Sequence, residues 1–206
     1  MLQAVDLACI RGDRRLFRGL HLELGPGRVM RVEGANGAGK TSLLRLLAGL
    51  ALPAAGEVHW QGQPIRRQRE AYAQALLYLG HLGGLKDELT PTENLSLDAD
   101  LTGSARADPG RVAEALAFWG LTRQAGLPLR VLSAGQRRRS ALARLRLSTA
   151  PLWILDEPFN ALDVAAVAQL GRVIEQHVDG GGLAVVTSHM PLPIAASRVQ
   201  SLELVG

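Results

Sequence analysis

Residues 34–41 read Gly-Ala-Asn-Gly-Ala-Gly-Lys-Thr, the spacing G-x-x-x-x-G-K-[ST]. No other stretch constrains the chain as tightly. Its three glycines let backbone N–H groups close around an anion, and a helix starting at its end adds the positive end of a dipole. The flanks supply that context. Val29–Glu33 is a short β-rich run ending at Gly34. From Lys40 the pattern becomes helical, with Leu43, Leu44, Leu46, Leu47 and Leu50 on one apolar face and Pro53 and Gly56 expected to end it. In such a cradle Lys40 reaches the outer phosphates of a nucleotide and the Thr41 hydroxyl is placed for Mg²⁺. Gly34, Ala35, Asn36, Gly37, Ala38, Gly39 and Ser42 are the other residues expected to contact phosphate. The plain alternative is a glycine-rich turn before a helix, and the strand–loop–helix order argues against it.

A phosphate cradle does not choose among kinases, GTPases and ATPases. Leu152–Leu155 is an apolar run followed by Asp156 and Glu157. A carboxylate at a strand end can hold Mg²⁺ through water, and its neighbour can polarise an attacking water. Taken alone, this is equally a strand running into a polar turn at Pro158. A guanine reader of the form N-K-x-D is absent, which removes the GTPase reading. Leu132-Ser133-Ala134-Gly135-Gln136 opens a helix expected over 136–148, with Ser133 as N-cap, and by itself is simply a good helix start. Arg137, Arg138 and Arg139 would ordinarily be a solvated face, and His189 an ordinary loop histidine.

The coarser pattern is α/β. Residues 2–10 and 19–24 are expected as strands around the turn Arg11-Gly12-Asp13, and 56–64 as a hairpin. Residues 76–80, 152–156 and 183–188 are compact apolar runs suited to buried parallel strands. Between 86 and 150 the pattern is mostly helical, with 111–119 and 136–148 the best helices. One cysteine, Cys9, excludes a disulfide framework, a cysteine zinc site and covalent haem attachment through a CxxCH motif. A net charge of +4 is too small to argue for nucleic acid. The first residues lack the layout of a secretory signal, and the longest apolar runs reach about ten residues where a membrane span needs about 20. A soluble or peripheral chain in a reducing compartment is expected.

Taken together, the motifs resemble the nucleotide-binding domain of ABC transporters over nearly the full length. Ser133-Ala134-Gly135-Gln136 after Leu132 is similar to the family's signature, Asn160-Ala161-Leu162-Asp163 to its D-loop, and His189 to its switch histidine. Residues 14–27, 56–65, 76–95 and 152–163 resemble more narrowly the haem-exporting ATPases of cytochrome c maturation. The resemblance implies a P-loop NTPase core with an antiparallel β subdomain and a helical subdomain inserted at about 86–150, together one nucleotide-binding domain over 1–206. It implies ATP and Mg²⁺ as ligands, with Thr41 and Asp156 holding the metal. It implies Lys40, Glu157 and His189 as the catalytic set, and a homodimer that sandwiches nucleotide between one phosphate loop and the partner copy's signature. It also implies integral membrane permease subunits as partners, no nucleic acid, and a peripheral place on the cytoplasmic face of a bacterial inner membrane.

Two positions depart from the pattern. The residue that usually stacks on adenine is aromatic, and Arg11 stands near that position. Leu82 stands where haem-export ATPases usually carry a glutamine, leaving water or His81 to finish a Mg²⁺ shell. A soluble ABC ATPase of DNA repair or translation would carry a second cassette, a coiled coil or a zinc insertion. A weakly hydrolysing regulatory subunit stays open because of Leu82.

Overall fold

Alternating burial along the N-terminal stretch is the pattern of a sheet with one wet face. In the computed structural model, which describes residues 1–80, 84–102 and 108–204, this stretch forms β1 (Leu2–Arg11) and β2 (Arg14–Leu24). They pair antiparallel from Leu2↔Leu24 to Arg11↔Arg14 around the turn Gly12-Asp13. Then come β3 (Arg28–Glu33), α1 (Lys40–Leu47), β4 (Ala55–Trp60), β5 (Gln63–Pro64), α2 (Arg69–Gln74) and β6 (Leu76–Leu79). Further along are α3 (Pro91–Thr102), α4 (Pro109–Phe118), α5 (Ala134–Leu142), α6 (Arg144–Leu147), β7 (Leu152–Leu155), α7 (Val164–Asp179), β8 (Leu183–Thr187) and β9 (Val199–Glu203).

The chain divides into two units, the first being Met1–Tyr78, Ala150–Pro158 and Ile174–Gly206. It holds an antiparallel sheet of order β2-β1-β4-β5, and the fold's second sheet has the order β6-β7-β8-β3-β9. In the latter, β3 runs parallel to β8 and β9, and β7 parallel to β8. β7 and β8 are buried at every position, as strands covered on both faces must be. One apolar core joins Leu43, Leu44 and Leu47 of α1 to Ile154, Val185 and Val32 of the parallel sheet and to Leu2, Leu7 and Val58 of the antiparallel one. Trp153 stacks on His177, centroids 3.7 Å apart and planes 6° from parallel. Burial pushes the His177 pKa down, so the ring stays neutral against the indole.

The second unit is Leu79–Thr149 with Phe159–Val173. Its helices bury Leu95, Val112, Leu116, Trp119, Leu121 and Leu142. Asp98 accepts two hydrogen bonds from Arg144, 2.5 and 2.9 Å, joining α3 to α6. Arg146 lies over the Phe118 ring at 4.7 Å. Among the described residues no helix is long and apolar enough to cross a membrane.

Local expectations were met unevenly. The hairpin is present as β4 and β5. β2 starts at Arg14 and not at 19, because a two-residue turn suffices to reverse the chain. α1 ends at Leu47, well before Pro53. The cause is Gly49, whose φ of +71 allows a left-handed cap. Gly49 N–H donates to Leu46 O at 3.0 Å and Leu50 N–H to Arg45 O at 2.9 Å, the paired bonds of a Schellman stop. Leu50 therefore lies outside the helix and is exposed. The helix expected over 136–148 begins earlier, at Ala134, and is interrupted at Ala143. The expectations for His81 and Leu82 lie outside the described residues.

Candidate functional site

The sheet order sets β3 and β7 on either side of β8, so their carboxyl ends release the chain on one edge of the first unit. After β3 comes the loop Gly34–Gly39. Gly34 has φ +141, and a Cβ there would sit 2.7 Å from the Leu204 carbonyl oxygen, so only glycine fits. Ala38 N–H donates to Ala35 O at 3.1 Å, curling the loop into a turn ahead of α1. Lys40, 7% exposed, folds back across this turn. Its Nζ donates to Gly34 O at 2.7 Å and to Ala35 O at 3.2 Å. A cavity of about 350 Å³ opens here. Asn36, Gly37, Gly39, Lys40, Thr41 and Ser42 form one wall, while Arg11, Arg14, Leu16 and Glu157 supply the rest. The cradle, its cation and its helix N-terminus fit a polyphosphate. Cys9 packs beside Ser42; burial pushes its thiol up, against the smaller opposing pulls of Ser42 and Arg11. It is thus a packing residue, not a reactive thiol.

After β7 come Asp156 and Glu157. Asp156 is 1% exposed, and its Oδ1 accepts a 2.8 Å hydrogen bond from the Thr187 hydroxyl. The same hydroxyl oxygen accepts the Glu157 N–H at 2.6 Å. Burial, and secondarily the Asp156 carboxylate, pushes the Tyr78 phenol up. Glu157 has φ +47, a conformation that costs a side-chain-bearing residue about 1–3 kcal/mol and occurs mainly where the surroundings enforce it. It brings Glu157 Oε1 to 3.4 Å from Nε2 of His189, which follows β8. Among the described residues no group of three or more His, Cys, Asp or Glu could hold a metal by itself. Magnesium does not need one. It takes one or two protein oxygens and fills its shell with phosphate and water. A buried carboxylate at Asp156 and the hydroxyl of Thr41 fit that donor set.

The second unit carries the rest. Ser133 caps α5 with a reciprocal capping box: its Oγ accepts Gln136 N–H at 3.2 Å, and Gln136 Oε1 accepts Ser133 N–H at 2.9 Å. A Cβ on Gly135 would lie 3.1 Å from the Ala161 carbonyl oxygen, so Gly135 faces the segment 160–163 closely. Ala161 has φ +61, and Asp163 Oδ1 accepts the Ala166 N–H at 2.8 Å to start α7.

The first unit thus gathers Gly34–Ser42, Asp156, Glu157, His189 and Arg11, whereas Ser133–Gln136 and Asn160–Asp163 belong to the second. Thr187, Arg14 and Leu16 were missed from sequence. Arg14 and Leu16 belong to β2, which was expected to start only later. Thr187 is, by sequence, one more strand residue.

The comparisons agree on one family. A model described as ABC transporter matches residues 17–160. A cytochrome c biogenesis ATP-binding export protein CcmA from Methylococcus capsulatus is 53% identical over 193 residues, covering 94% of this chain and 93% of that protein. The protein of the same name from Salmonella typhi is 50% identical over 206 residues, covering 100% and 98%. Among solved structures, a dimeric bacterial ABC transporter cassette superposes with a TM-score of 0.85 at 21% identity, covering 98% and 94%. A dimeric ATP-binding cassette in a post-hydrolysis state, bound to ADP and Pi, gives 0.81 at 22% identity, covering 92% and 88%. At that identity these two show the fold.

Proposed function

The chain belongs to the ABC transporter family, and from that premise we propose that it is the ATP-hydrolysing subunit that powers the haem-export step of cytochrome c biogenesis. The observation that carries the chemistry is the convergence of the phosphate cradle with Asp156, Glu157 and His189 at the carboxyl ends of β3, β7 and β8. The system is assigned from the name of relatives about half identical over nearly their whole length.

The Gly34–Gly39 loop and the α1 N-terminus bind the β- and γ-phosphates, and Lys40 releases its two carbonyl partners to reach them. Thr41 and Asp156 would hold Mg²⁺, which would supply charge neutralisation for the phosphates. Glu157 orients the attacking water and takes its proton, while His189 contacts the γ-phosphate and steadies Glu157. Catalysis then comes from positioning and charge neutralisation. Ser133–Gln136 of a second copy completes each site. Its capping box consumes two helix-start donors internally and leaves the neighbouring N–H groups for an anion. The helical insertion at about 86–150 couples the ATPase to permease subunits, holding the chain peripherally at the cytoplasmic face of a bacterial inner membrane.

The test is purification from membranes together with whatever permease is bound, followed by steady-state ATPase measurement with and without that partner. A haem-export permease should co-purify, and its presence should raise a slow basal rate. Recovery only in the unbound fraction, with a rate indifferent to the permease, would reject the assignment.

Arg11 takes the place of the base-stacking aromatic. Arg11 lines the cavity together with Arg14, its register partner across the hairpin, and a guanidinium stacks on a base much as a ring does. Arg11→Ala should weaken ATP affinity by about two- to fivefold, the loss of a partly exposed cation–π contact. Unchanged affinity by titration calorimetry would remove Arg11 from the site.

A further inference from the structure

We propose that Thr187 is a positioning residue for ATP hydrolysis, one hydroxyl that sets the direction of both the Asp156 carboxylate and the Glu157 side chain. The proposal rests on the ATPase reading above and deepens it. β8 is otherwise Leu-Ala-Val-Val, apolar and wholly buried, and it ends in a threonine of 0% exposure. A buried hydroxyl is costly unless bonded. Valine has the same shape and an equal preference for strands. The register Leu155↔Val186 sets the next residue of each strand, Asp156 and Thr187, side by side.

The hydroxyl has one proton and gives it to Asp156 Oδ1 at 2.8 Å, fixing the rotation of that carboxylate. Its oxygen accepts the Glu157 N–H at 2.6 Å. That second bond holds the peptide in the left-handed turn, φ +47, from which the Glu157 carboxylate meets His189 at 3.4 Å. The metal-side and water-side carboxylates are thereby oriented by the same atom. Disturbing it should therefore misplace both at once while leaving the phosphate cradle intact.

Two variants separate chemistry from shape. Thr187→Val keeps the shape and loses both bonds; Thr187→Ser keeps both bonds and loses a methyl group. In Thr187→Val, kcat should fall about tenfold to a hundredfold, as expected for a hydrogen bond to a charged group. The Mg²⁺ concentration that half-restores tight ATP binding should rise about tenfold. ATP affinity in EDTA should not change. Thr187→Ser should recover both properties to within about threefold of wild type, as rescue by the conservative variant. A packing role alone gives the opposite order, with valine tolerated and serine the worse. Thr187→Val within twofold of wild type in kcat and Mg²⁺ dependence overturns the proposal. Should Thr187→Val not fold, judged by thermal unfolding, Thr187→Ser decides: near-wild-type values support the proposal and a tenfold loss overturns it. A wild-type chain that binds no ATP overturns the parent reading together with this one. A wild type that turns over ATP no faster than Thr187→Val overturns only the Thr187 assignment.

Discussion

Glu157→Gln is expected to bind ATP with wild-type affinity and to hydrolyse it at least about 10²-fold more slowly, the range of a lost general base. The geometry isolates the effect. Glu157 is bonded to the fold through its backbone N–H, which donates to Thr187, so a glutamine inherits the same left-handed turn and side-chain direction. Glutamine is nearly isosteric and still presents an oxygen toward His189, but it cannot accept the proton of an attacking water. It also leaves Lys40, Thr41 and the loop glycines untouched. Binding and turnover should therefore separate, and the nucleotide-bound form should accumulate. With Mg²⁺ and saturating ATP the variant should migrate as a dimer by light scattering, and wild type mainly as a monomer between turnovers. A monomeric variant at saturating ATP would contradict the sandwich arrangement. A variant with more than a tenth of wild-type turnover would remove Glu157 as base.

What could be read from sequence follows from the range of the forces involved. The phosphate loop is local. Its glycines, lysine and flanking elements lie within one strand–turn–helix, so spacing alone fixes it, and the same holds for the Ser133 capping box. The fully apolar runs 152–155 and 183–186 identify themselves because no other placement buries them on both sides. Other features are legible in the sequence as well. α7 announces itself by the Asp163 cap and by buried Ala166, Leu170, Val173, Ile174 and Val178 at helical spacing. β9, with no buried position and with polar Gln200, Ser201 and Glu203, carries a weak signal. Thr187 is a different case. Its importance depends on strand register between β7 and β8, a pairing between residues 31 positions apart, and no property of the local sequence separates it from a strand-favouring filler.

Lys40→Ala is expected to remove tight ATP binding altogether. Lys40 is one of only two lysines in a chain that otherwise carries arginine, and the only cation within the phosphate loop. It is nearly buried, and its ammonium spans the loop between the Gly34 and Ala35 carbonyls. A flexible stem with a compact charge can leave those carbonyls and follow a phosphate inward, which a planar guanidinium does less readily. Truncating one side of a desolvated charge pair costs about 2–5 kcal/mol, roughly 30-fold to several-thousand-fold in affinity. The alanine leaves the loop without its one cation, so the upper part of that range applies. The change should be visible with and without Mg²⁺, unlike that of Thr187→Val, because it acts on the phosphate and not on the metal. Lys40→Arg keeps the charge and should recover only part of the affinity. Thermal unfolding of the nucleotide-free variant should stay close to wild type, since water can reach the freed carbonyls from the cavity. Lys40→Ala that is well folded and binds ATP within twofold of wild type would show that the glycine loop is a helix start and nothing more, and hydrolysis would then have to be sought elsewhere in the chain.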